Sequence, residues 1–214
     1  MRKTLSFSAA LLALTATAGM AQAEVEYSGN VALTTDYHWR GDTQSSQDFA
    51  IQGGFDLAVG GFYAGTWASS IAGDADMELD VYAGYGFEAG GVGLDFGVIQ
   101  YFYPSDGTAD LDFLEVYAGV AKDFEMVGLS GYMYYDPDNE TIYGEAGVGV
   151  SASDALSFDV NIGTIFDDGG DGSSELFNYN FGGTYGVGGF DLDLRYYDKE
   201  DGEDNFVFSI GRAM

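Results

Sequence analysis

Residues 27–40 read YSGNVALTTDYHWR, and apolar and polar side chains alternate along this stretch. One set of alternate positions includes Tyr27, Val31 and Trp39, whereas the other includes Asp36. Because successive side chains of a strand point to opposite faces, the pattern predicts one long β-strand with an apolar and a polar face. Its length and terminal aromatic residues are typical of a strand that crosses a membrane. In lipid only helices and closed barrels pair every backbone group, so one such strand implies a complete barrel.

The rest of the chain repeats this alternation in further segments that are separated by turns and loops. Glycine pairs at 60–61, 90–91 and 188–189 mark tight turns, since two-residue hairpins need residues that accept a positive φ. The connections after odd-numbered strands are longer and acidic, and those after even-numbered strands are mostly short. Outer-membrane barrels have this asymmetry and an even number of strands. We therefore predict an all-β fold, an antiparallel up-and-down transmembrane β-barrel of about 12 strands.

A soluble β-sandwich is the alternative, but it explains neither the length of the strands nor the sorting of the loops. The pattern does not determine which way the side chains of the third and seventh strands, 62–71 and 129–135, point. Aromatic residues collect near the ends of the strands that carry the long loops, where they are expected to form a girdle at the membrane interface. They are Tyr37, Trp39, Phe49, Tyr101, Phe102, Tyr103, Phe113, Tyr135, Tyr143, Phe166, Phe177, Tyr196, Tyr197 and Phe206.

The first 23 residues have the composition of a secretory signal peptide. Arg2 and Lys3 precede an apolar run at 5–18, and Ala-Gln-Ala at 21–23 forms an A-x-A cleavage site. The apolar run is shorter than the ~20 residues that a membrane-spanning helix needs. We expect a signal peptide that is cut after Ala23 and a protein that is exported to the cell outer membrane. The sequence thus divides into a signal peptide, residues 1–23, and a single barrel domain, residues 24–214.

The chain is strongly acidic, with a net charge of -28, or about -30 without Arg2 and Lys3. This charge excludes binding to nucleic acid, because the protein could not neutralise phosphates. The absence of cysteine excludes disulfides and thiolate chemistry. The acidity fits attraction of cations, binding of divalent ions, or solubility in a saline habitat, and the sequence does not distinguish these. It does not determine the oligomeric state either.

Eight segments spread over the chain carry a resemblance to a known family. They are SGNVALTTDY at 28–37, Arg40-Gly41, AIQGGFD at 50–56, GFYAGTWAS at 61–69, ELDVYAGY at 78–85, GVIQYFYP at 97–104, LEVYAGV at 114–120 and FVFSIGR at 206–212. Together they resemble the TorF family of proteobacterial outer-membrane porins. The resemblance implies an exported barrel in outer-membrane lipid, and it brings no catalytic residue with it. The chain departs from such barrels in ending with Met214, where an aromatic residue is usual.

The polar faces of the predicted strands carry mostly carboxylates, which would line the interior of the barrel. Confined carboxylates create a negative potential that concentrates cations. We therefore expect a porin-like channel for passive diffusion of small solutes, with a preference for cations and without a cofactor. The alternative is a filled interior, since twelve strands lie between the ~8 that side chains fill and the ~16–18 that leave a wide channel. The predicted pore-lining residues are Asp36, His38, Arg40, Asp56, Asp80, Glu115, Glu145, Asp159, Asp193 and Arg195.

A second hypothesis is a non-conducting structural or surface-interaction barrel whose acidic external loops bind divalent cations. The segment 167–175 resembles a calcium loop, but Gly169 and Asn178 stand where an EF-hand has its third and twelfth positions. It is therefore a weak candidate, and loosely bound Ca²⁺ or Mg²⁺ is the expectation. The candidate metal ligands are Asp167, Asp168, Asp171 and Glu175.

A third hypothesis is a barrel hydrolase that uses His38, the one histidine of the sequence. His38 has Asp36 and Arg40 on its face, and a histidine that a carboxylate orients can act as a general base. No serine lies in a G-x-S-x-G motif, however. We therefore predict that His38 lines the lumen near the outer rim and that the protein is not an enzyme.

Overall fold

The computed structural model describes residues 24–104, 111–168, 177–200, 202 and 204–214. Twelve of its strands form one closed antiparallel barrel in chain order, which confirms the predicted fold class. The first strand β1 (Glu26–Thr34) closes the barrel by pairing residues 30–34 with residues 209–213 of the last strand, β14 (Asn205–Ala213). The wall strands between them are β4 (Ala50–Val59), β5 (Phe62–Ser70), β6 (Met77–Ala89), β7 (Val92–Phe102), β8 (Phe113–Phe124), β9 (Val127–Asp136), β10 (Thr141–Ser151), β11 (Leu156–Asp168), β12 (Phe177–Val187) and β13 (Phe190–Lys199). Two short strands, β2 (His38–Trp39) and β3 (Asp42–Thr43), pair only with each other.

The apolar side chains of the wall point away from the barrel axis. Phe55 and Leu194 are each 56% exposed, whereas their neighbours Asp56 and Asp193 are 9% and 3% exposed. A protein in water would not expose so large an apolar surface while burying its carboxylates. The soluble sandwich is thereby excluded, and the outer surface of the closed barrel is suited to lipid. No helix among the described residues is long and apolar enough to span a bilayer.

The connections differ between the two ends of the barrel. Turns at 60–61, 90–91, 125–126, 152–155 and 188–189 join strands at one end, which we call the short-turn end. The first and last strands also begin and end there, since Gly29 and Met214 exchange two backbone hydrogen bonds. The longer connections lie at the opposite end, the long-loop end. This is the predicted asymmetry.

The two strands whose facing the sequence left undetermined follow the same alternation. In β5, Tyr63 is buried inside the barrel while Phe62 is 63% exposed. Trp67 shares the inward face with Tyr63, and its ring lies 5.2 Å from that of Tyr37. In β9, Tyr132 points inward and Met133 outward.

The first stretch of the sequence departs from the prediction, because β1 ends at Thr34 instead of continuing to Arg40. Asp36 accepts hydrogen bonds of 2.7 Å from the hydroxyls of Thr43 and Ser45, which pull the chain out of the wall. Positive φ angles at Arg40 (50°) and Gly41 (88°) then reverse it. The prediction of one long strand was wrong, because side-chain hydrogen bonds compete with the sheet at this point.

The aromatic girdle is only partly as predicted. Phe49, Phe102, Phe166 and Phe206 lie on the outer surface. Other members of the predicted girdle instead lie inside the barrel, because they occupy the inward parity of their strands or the segment that leaves the wall. They are Tyr37, Trp39, Tyr101, Tyr143 and Tyr197.

Tyrosines on the inner wall lie across glycines of the neighbouring strand. Tyr132 is the register partner of Gly119, and a methyl group at Gly119 would overlap the Tyr132 ring. Gly97 stands in the same relation to Tyr117. A ring that covers a glycine lies along the wall and fills less of the lumen. The glycines therefore keep space open inside a barrel that is rich in aromatic residues.

Candidate functional site

The predicted pore-lining residues all lie inside the barrel, on the inward face of a strand or on the segment between β1 and β4. Most are buried, and His38, Arg40, Glu145 and Asp159 are half-buried. Their hydrogen-bond and ion-pair partners differ from place to place, and they distinguish several regions of the interior.

One region is a cluster around Arg195 on β13, in which one guanidinium faces two carboxylates. Its guanidinium donates hydrogen bonds to both carboxylate oxygens of Asp159, and Nη2 lies 3.3 Å from Asp193 Oδ2. Thr184 Oγ1 donates to Asp193 over 2.8 Å, and Asn180 Oδ1 accepts from the guanidinium over 2.7 Å. Because every member comes from a wall strand and Arg195 is 1% exposed, this cluster is a fixed part of the wall.

Carboxylates on the other side of the lumen are held by tyrosines. Tyr63 Oη donates to Asp95 Oδ1 over 2.7 Å, and Tyr132 Oη reaches the other oxygen over 3.4 Å. Tyr82 donates in the same way to Asp56. A tyrosine hydroxyl satisfies a carboxylate without cancelling its charge. This wall therefore presents acidic groups to the lumen that are held in place by neutral donors.

The hairpin formed by β2 and β3 lies across the lumen. The Trp39 ring is 6.1 Å from the rings of Tyr101 and Phe113, on β7 and β8. The tip at Gly41 touches the far wall, since a Cβ on Gly41 would lie 2.9 Å from the Cβ atoms of Asn178 and Lys199, on β12 and β13. A segment that leaves β1 and contacts both walls must cross the interior. We call this segment, residues 38–43, the lumenal hairpin.

Arg40 at the tip of the lumenal hairpin is held by a carboxylate and by aromatic rings. Its Nη2 atom lies 2.8 Å from each carboxylate oxygen of Glu115. Its Cζ atom lies 4.1 Å from the ring centroid of Tyr143, 5.2 Å from that of Tyr134 and 4.3 Å from that of Trp39. These distances are those of cation–π contacts.

The base of the lumenal hairpin is fixed at the long-loop end. Asp36 Oδ2 accepts a hydrogen bond from Asn205 Nδ2 over 3.0 Å and lies 2.9 Å from His38 Nε2. Burial alone would raise the pKa of Asp36, but His38, Thr43 and Ser45 stabilise the carboxylate and lower its pKa to about 2.

Two further contacts hold the lumenal hairpin against the wall. Lys199 Nζ lies 2.5 Å from Asp42 Oδ2, and the His38 ring stacks on Tyr197 with centroids 4.3 Å apart. His38 Nδ1 is 3.2 Å from the carbonyl oxygen of Gly41. His38 Nε2 lies near Asp36 without forming a hydrogen bond, so the Gly41 carbonyl and the Tyr197 ring hold this side chain in the hairpin.

The lumenal hairpin divides the interior into two compartments. The inner compartment, about 650 Å³, reaches from the hairpin towards the short-turn end, and the outer compartment, about 260 Å³, lies towards the long loops. Trp39, Arg40, Tyr143 and Asn178 border both. Acidic side chains line the inner compartment: Glu88, Asp95, Asp123, Glu145 and Asp159.

No cluster of three or more metal-ligating side chains is found in the part of the chain that the structure describes. Two of the candidate calcium ligands, Asp171 and Glu175, lie outside the described residues. The backbone of Asp167 and Asp168 continues β11, where a loop was expected, and their side chains are not described. Metal binding by this segment stays a prediction, and so does the signal peptide, which also lies outside the described residues.

The comparison with protein families gives one match. The model for a bacterial protein family of unknown function, Gcw_chp, matches residues 18–206. None of the curated proteins compared with the chain matches it.

Solved structures with the same fold are outer-membrane channels. The KdgM porin is 8% identical, with a TM-score of 0.62 over 87% of this chain and 97% of that one. The NanC porin is 10% identical, with a TM-score of 0.58 over 88% and 98% of the two chains. The COG4313 outer membrane channel from Pseudomonas putida F1 is 14% identical, with a TM-score of 0.51 over 92% and 97%. At these identities the likeness establishes the fold, and the TorF assignment itself stays a prediction.

Proposed function

The chain belongs to the Gcw_chp family, and we propose that it is an outer-membrane, porin-like channel for passive diffusion of small solutes, with a preference for cations. The observation that carries this proposal is the inner compartment, a space of about 650 Å³ with acidic walls inside a barrel with an apolar exterior. The shared fold with the KdgM and NanC porins supports it. Export through a signal peptide cut after Ala23 remains part of the proposal.

The preference for cations follows from the pairing of the interior charges. Arg195 offsets one of the two carboxylate charges of its cluster, whereas Asp95 and Glu145 have tyrosine donors that leave their charge in place. Lys122 borders the inner compartment but turns its ammonium group outward, 5.2 Å from the Phe124 ring. Carboxylates in a confined, low-dielectric wall raise the local concentration of cations.

The solute class expected here differs from that of one relative with the same fold. The KdgM porin has been solved in complex with disordered oligogalacturonate, which is an acidic oligosaccharide. An acidic interior would repel such a solute. We therefore propose small inorganic or organic cations as the solutes of this channel.

Planar-bilayer recording under a KCl gradient tests the proposal. We expect a small conductance with a reversal potential close to the equilibrium potential of potassium. In the variant Glu88→Gln/Asp123→Asn the reversal potential should shift towards the equilibrium potential of chloride. Asp154→Asn is the matched control, because it removes a charge at the exposed turn between β10 and β11, outside the lumen. A wild-type reversal potential on the chloride side would contradict the cation preference, and the absence of conductance would contradict the channel.

A non-conducting structural barrel is the second candidate, and the lumenal hairpin is the observation that favours it. The hairpin crosses the interior and has ion pairs at Arg40 and Asp42. Liposome swelling in permeant solutes tests this candidate with two proteins, the wild type and a variant in which a short glycine linker replaces residues 38–43. If neither protein allowed swelling, the structural barrel would replace the channel as the proposed function. Loose binding of Ca²⁺ or Mg²⁺ by the external loops stays a prediction in both cases. The carboxylate beside His38, Asp36, belongs to the hydrogen bonds that fix the base of the lumenal hairpin, so this pair does not favour the hydrolase.

A further inference from the structure

We propose that the pocket holding the Arg40 guanidinium is a binding site for solutes that carry a guanidinium group, and that Arg40 occupies it as an internal stand-in for such a solute. We call it the cation pocket and define it by Tyr101, Glu115, Tyr134 and Tyr143. The inference rests on the proposed channel function, for which it names a solute class.

The cation pocket is built by the barrel wall and does not need the hairpin. Its four residues come from the adjacent strands β7, β8, β9 and β10, where Glu115 pairs with Ile99 of β7, and Tyr134 pairs with Tyr143. Tyr101 Oη donates to Glu115 Oε2 over 3.0 Å, which fixes the carboxylate. With Arg40 in place Glu115 is 1% exposed, so a carboxylate that loses Arg40 there needs another cationic partner.

The chemistry of the cation pocket suits a guanidinium group. Both oxygens of Glu115 lie 2.8 Å from Arg40 Nη2, and the Tyr143 and Tyr134 rings flank the guanidinium at 4.1 and 5.2 Å. A second carboxylate, Glu145, accepts from Tyr134 Oη over 3.2 Å. Carboxylates combined with aromatic faces bind guanidinium and exclude anions.

Arg40 differs from the structural arginine of the same lumen. Arg195 belongs to a wall strand and is 1% exposed, so its guanidinium is enclosed together with Asp159. Arg40 belongs to the lumenal hairpin, retains 13% side-chain exposure, and borders both compartments. A solute in either compartment can therefore reach the guanidinium and its partners.

Displacement of Arg40 would couple solute binding to passage. The side chain competes with a solute as a tethered ligand, whose effective concentration is in the millimolar range for a short linker. A solute that binds Glu115 removes the ion pair of Arg40, which is one of the contacts that hold the hairpin tip. The boundary between the two compartments then opens for the solute that fits the cation pocket.

Methylguanidinium is the probe, because it is the end of the arginine side chain as a free molecule. We expect calorimetric titration of Arg40→Ala in lipid nanodiscs to give at least about tenfold tighter binding than the wild type, since the tethered competitor is gone. Methylguanidinium should also reduce the conductance of Arg40→Ala in bilayers. Methylurea, which is planar but neutral, is the matched control and should do neither, and Arg40→Ala/Glu115→Gln should lose the binding.

Equal binding by the wild type and Arg40→Ala, or equal effects of methylurea and methylguanidinium, would overturn the inference. If Arg40→Ala did not give the heat-modifiable gel mobility of a folded barrel, Arg40→Gln would take its place in the same titration. Binding to a barrel that never conducts would refute the channel and leave the cation pocket standing. Conductance without binding would refute the cation pocket alone.

Discussion

The partners of Asp95 and Asp159 on the inner wall determine whether their charges reach the lumen. Asp159 is cancelled by Arg195, whereas Asp95 is held by the hydroxyl groups of Tyr63 and Tyr132. Those hydroxyls reach Asp95 because each ring lies flat over a glycine of the next strand. The acidic character of the lumen therefore depends on small residues that carry no charge.

Substitution of Gly119 by alanine tests this arrangement. The new methyl group would overlap the Tyr132 ring, which has to move and to lose its contact with Asp95. We expect the free energy of unfolding in lipid vesicles to fall by about 1–3 kcal/mol, the usual cost of overpacking. Gly149→Ala is the control, since its methyl group meets no atom within 4 Å. Equal unfolding free energies of the two variants in urea titrations would contradict the account.

Removal of the Arg195 charge tests the cluster that Arg195 forms with Asp159 and Asp193. Arg195→Met would leave Asp159 and Asp193 in the wall without a cation. We expect a loss of about 3–5 kcal/mol in the free energy of unfolding, as for other buried pairs that lose one partner. Arg195→Met/Asp159→Asn should recover part of that loss. If the single variant unfolded at the wild-type urea concentration, the cluster would have no structural role.

The lumenal hairpin is the element that gives the barrel two compartments, and it is anchored at its base by Asp36. The pKa of this carboxylate is about 2, below its ordinary value of 3.8, because its hydrogen-bond partners favour the charged form. A lowered folded-state pKa means that the contribution of Asp36 is complete above about pH 4. The contribution is lost as the pH falls towards 2.

We therefore predict that the lumenal hairpin is released between pH 4 and pH 2. Single-channel conductance should rise over this interval, and Asp36→Asn should already show the higher conductance at pH 7. The contacts with Thr43, Ser45 and Asn205 make this change worth about 1–3 kcal/mol of docking free energy. An Asp36→Asn channel with wild-type conductance at pH 7 would show that the carboxylate does not hold the hairpin.

The tip of the lumenal hairpin depends on Gly41 for two reasons. Its φ of +88° suits glycine, and a side chain would lie 2.9 Å from the Cβ atoms of Asn178 and Lys199. Gly41→Ala should therefore lift the tip and raise the conductance. Gly73→Ala separates backbone strain from steric overlap. Gly73 also has a positive φ, +108°, but a methyl group there would have open space around it. If both variants changed the conductance alike, contact with the far wall would not hold the tip.

The hairpin also marks where reasoning from the sequence stops. Alternation continues through residues 35–40, and a period of two does not distinguish a strand of the wall from a chain that turns into the lumen. The turn results from the hydrogen bonds of Asp36 and from the backbone at Arg40, which depend on tertiary contacts. The cation pocket was not predicted, because it too depends on tertiary contacts. Tyr132 and Tyr134, on one face of β9, did indicate an aromatic interior.

The whole barrel was predictable because one physical rule governs every strand. Aliphatic and phenylalanine side chains face lipid and charged ones face the interior, so the alternation predicted the strand number and the inward direction of the carboxylates, although tyrosine and tryptophan occur on both sides. Pairing across the lumen was not predictable, since Arg40 and Glu115 are 75 residues apart and meet only when the barrel is closed. The short β5 was ambiguous, because Ala64 and Ala68 on its outer face are too small to reveal the alternation.

The most direct test of the account is thiol labelling of two neighbouring positions in β8 in lipid vesicles. The chain has no cysteine, so Ala121→Cys on the inner wall and Val120→Cys on the 51% exposed outer surface each report one side. We predict that a positively charged, water-soluble thiol reagent labels Ala121→Cys faster than a negatively charged reagent of the same size, and that neither labels Val120→Cys. Rapid labelling of Val120→Cys, or faster labelling of Ala121→Cys by the negative reagent, would contradict a lipid-embedded barrel with an acidic, water-filled interior.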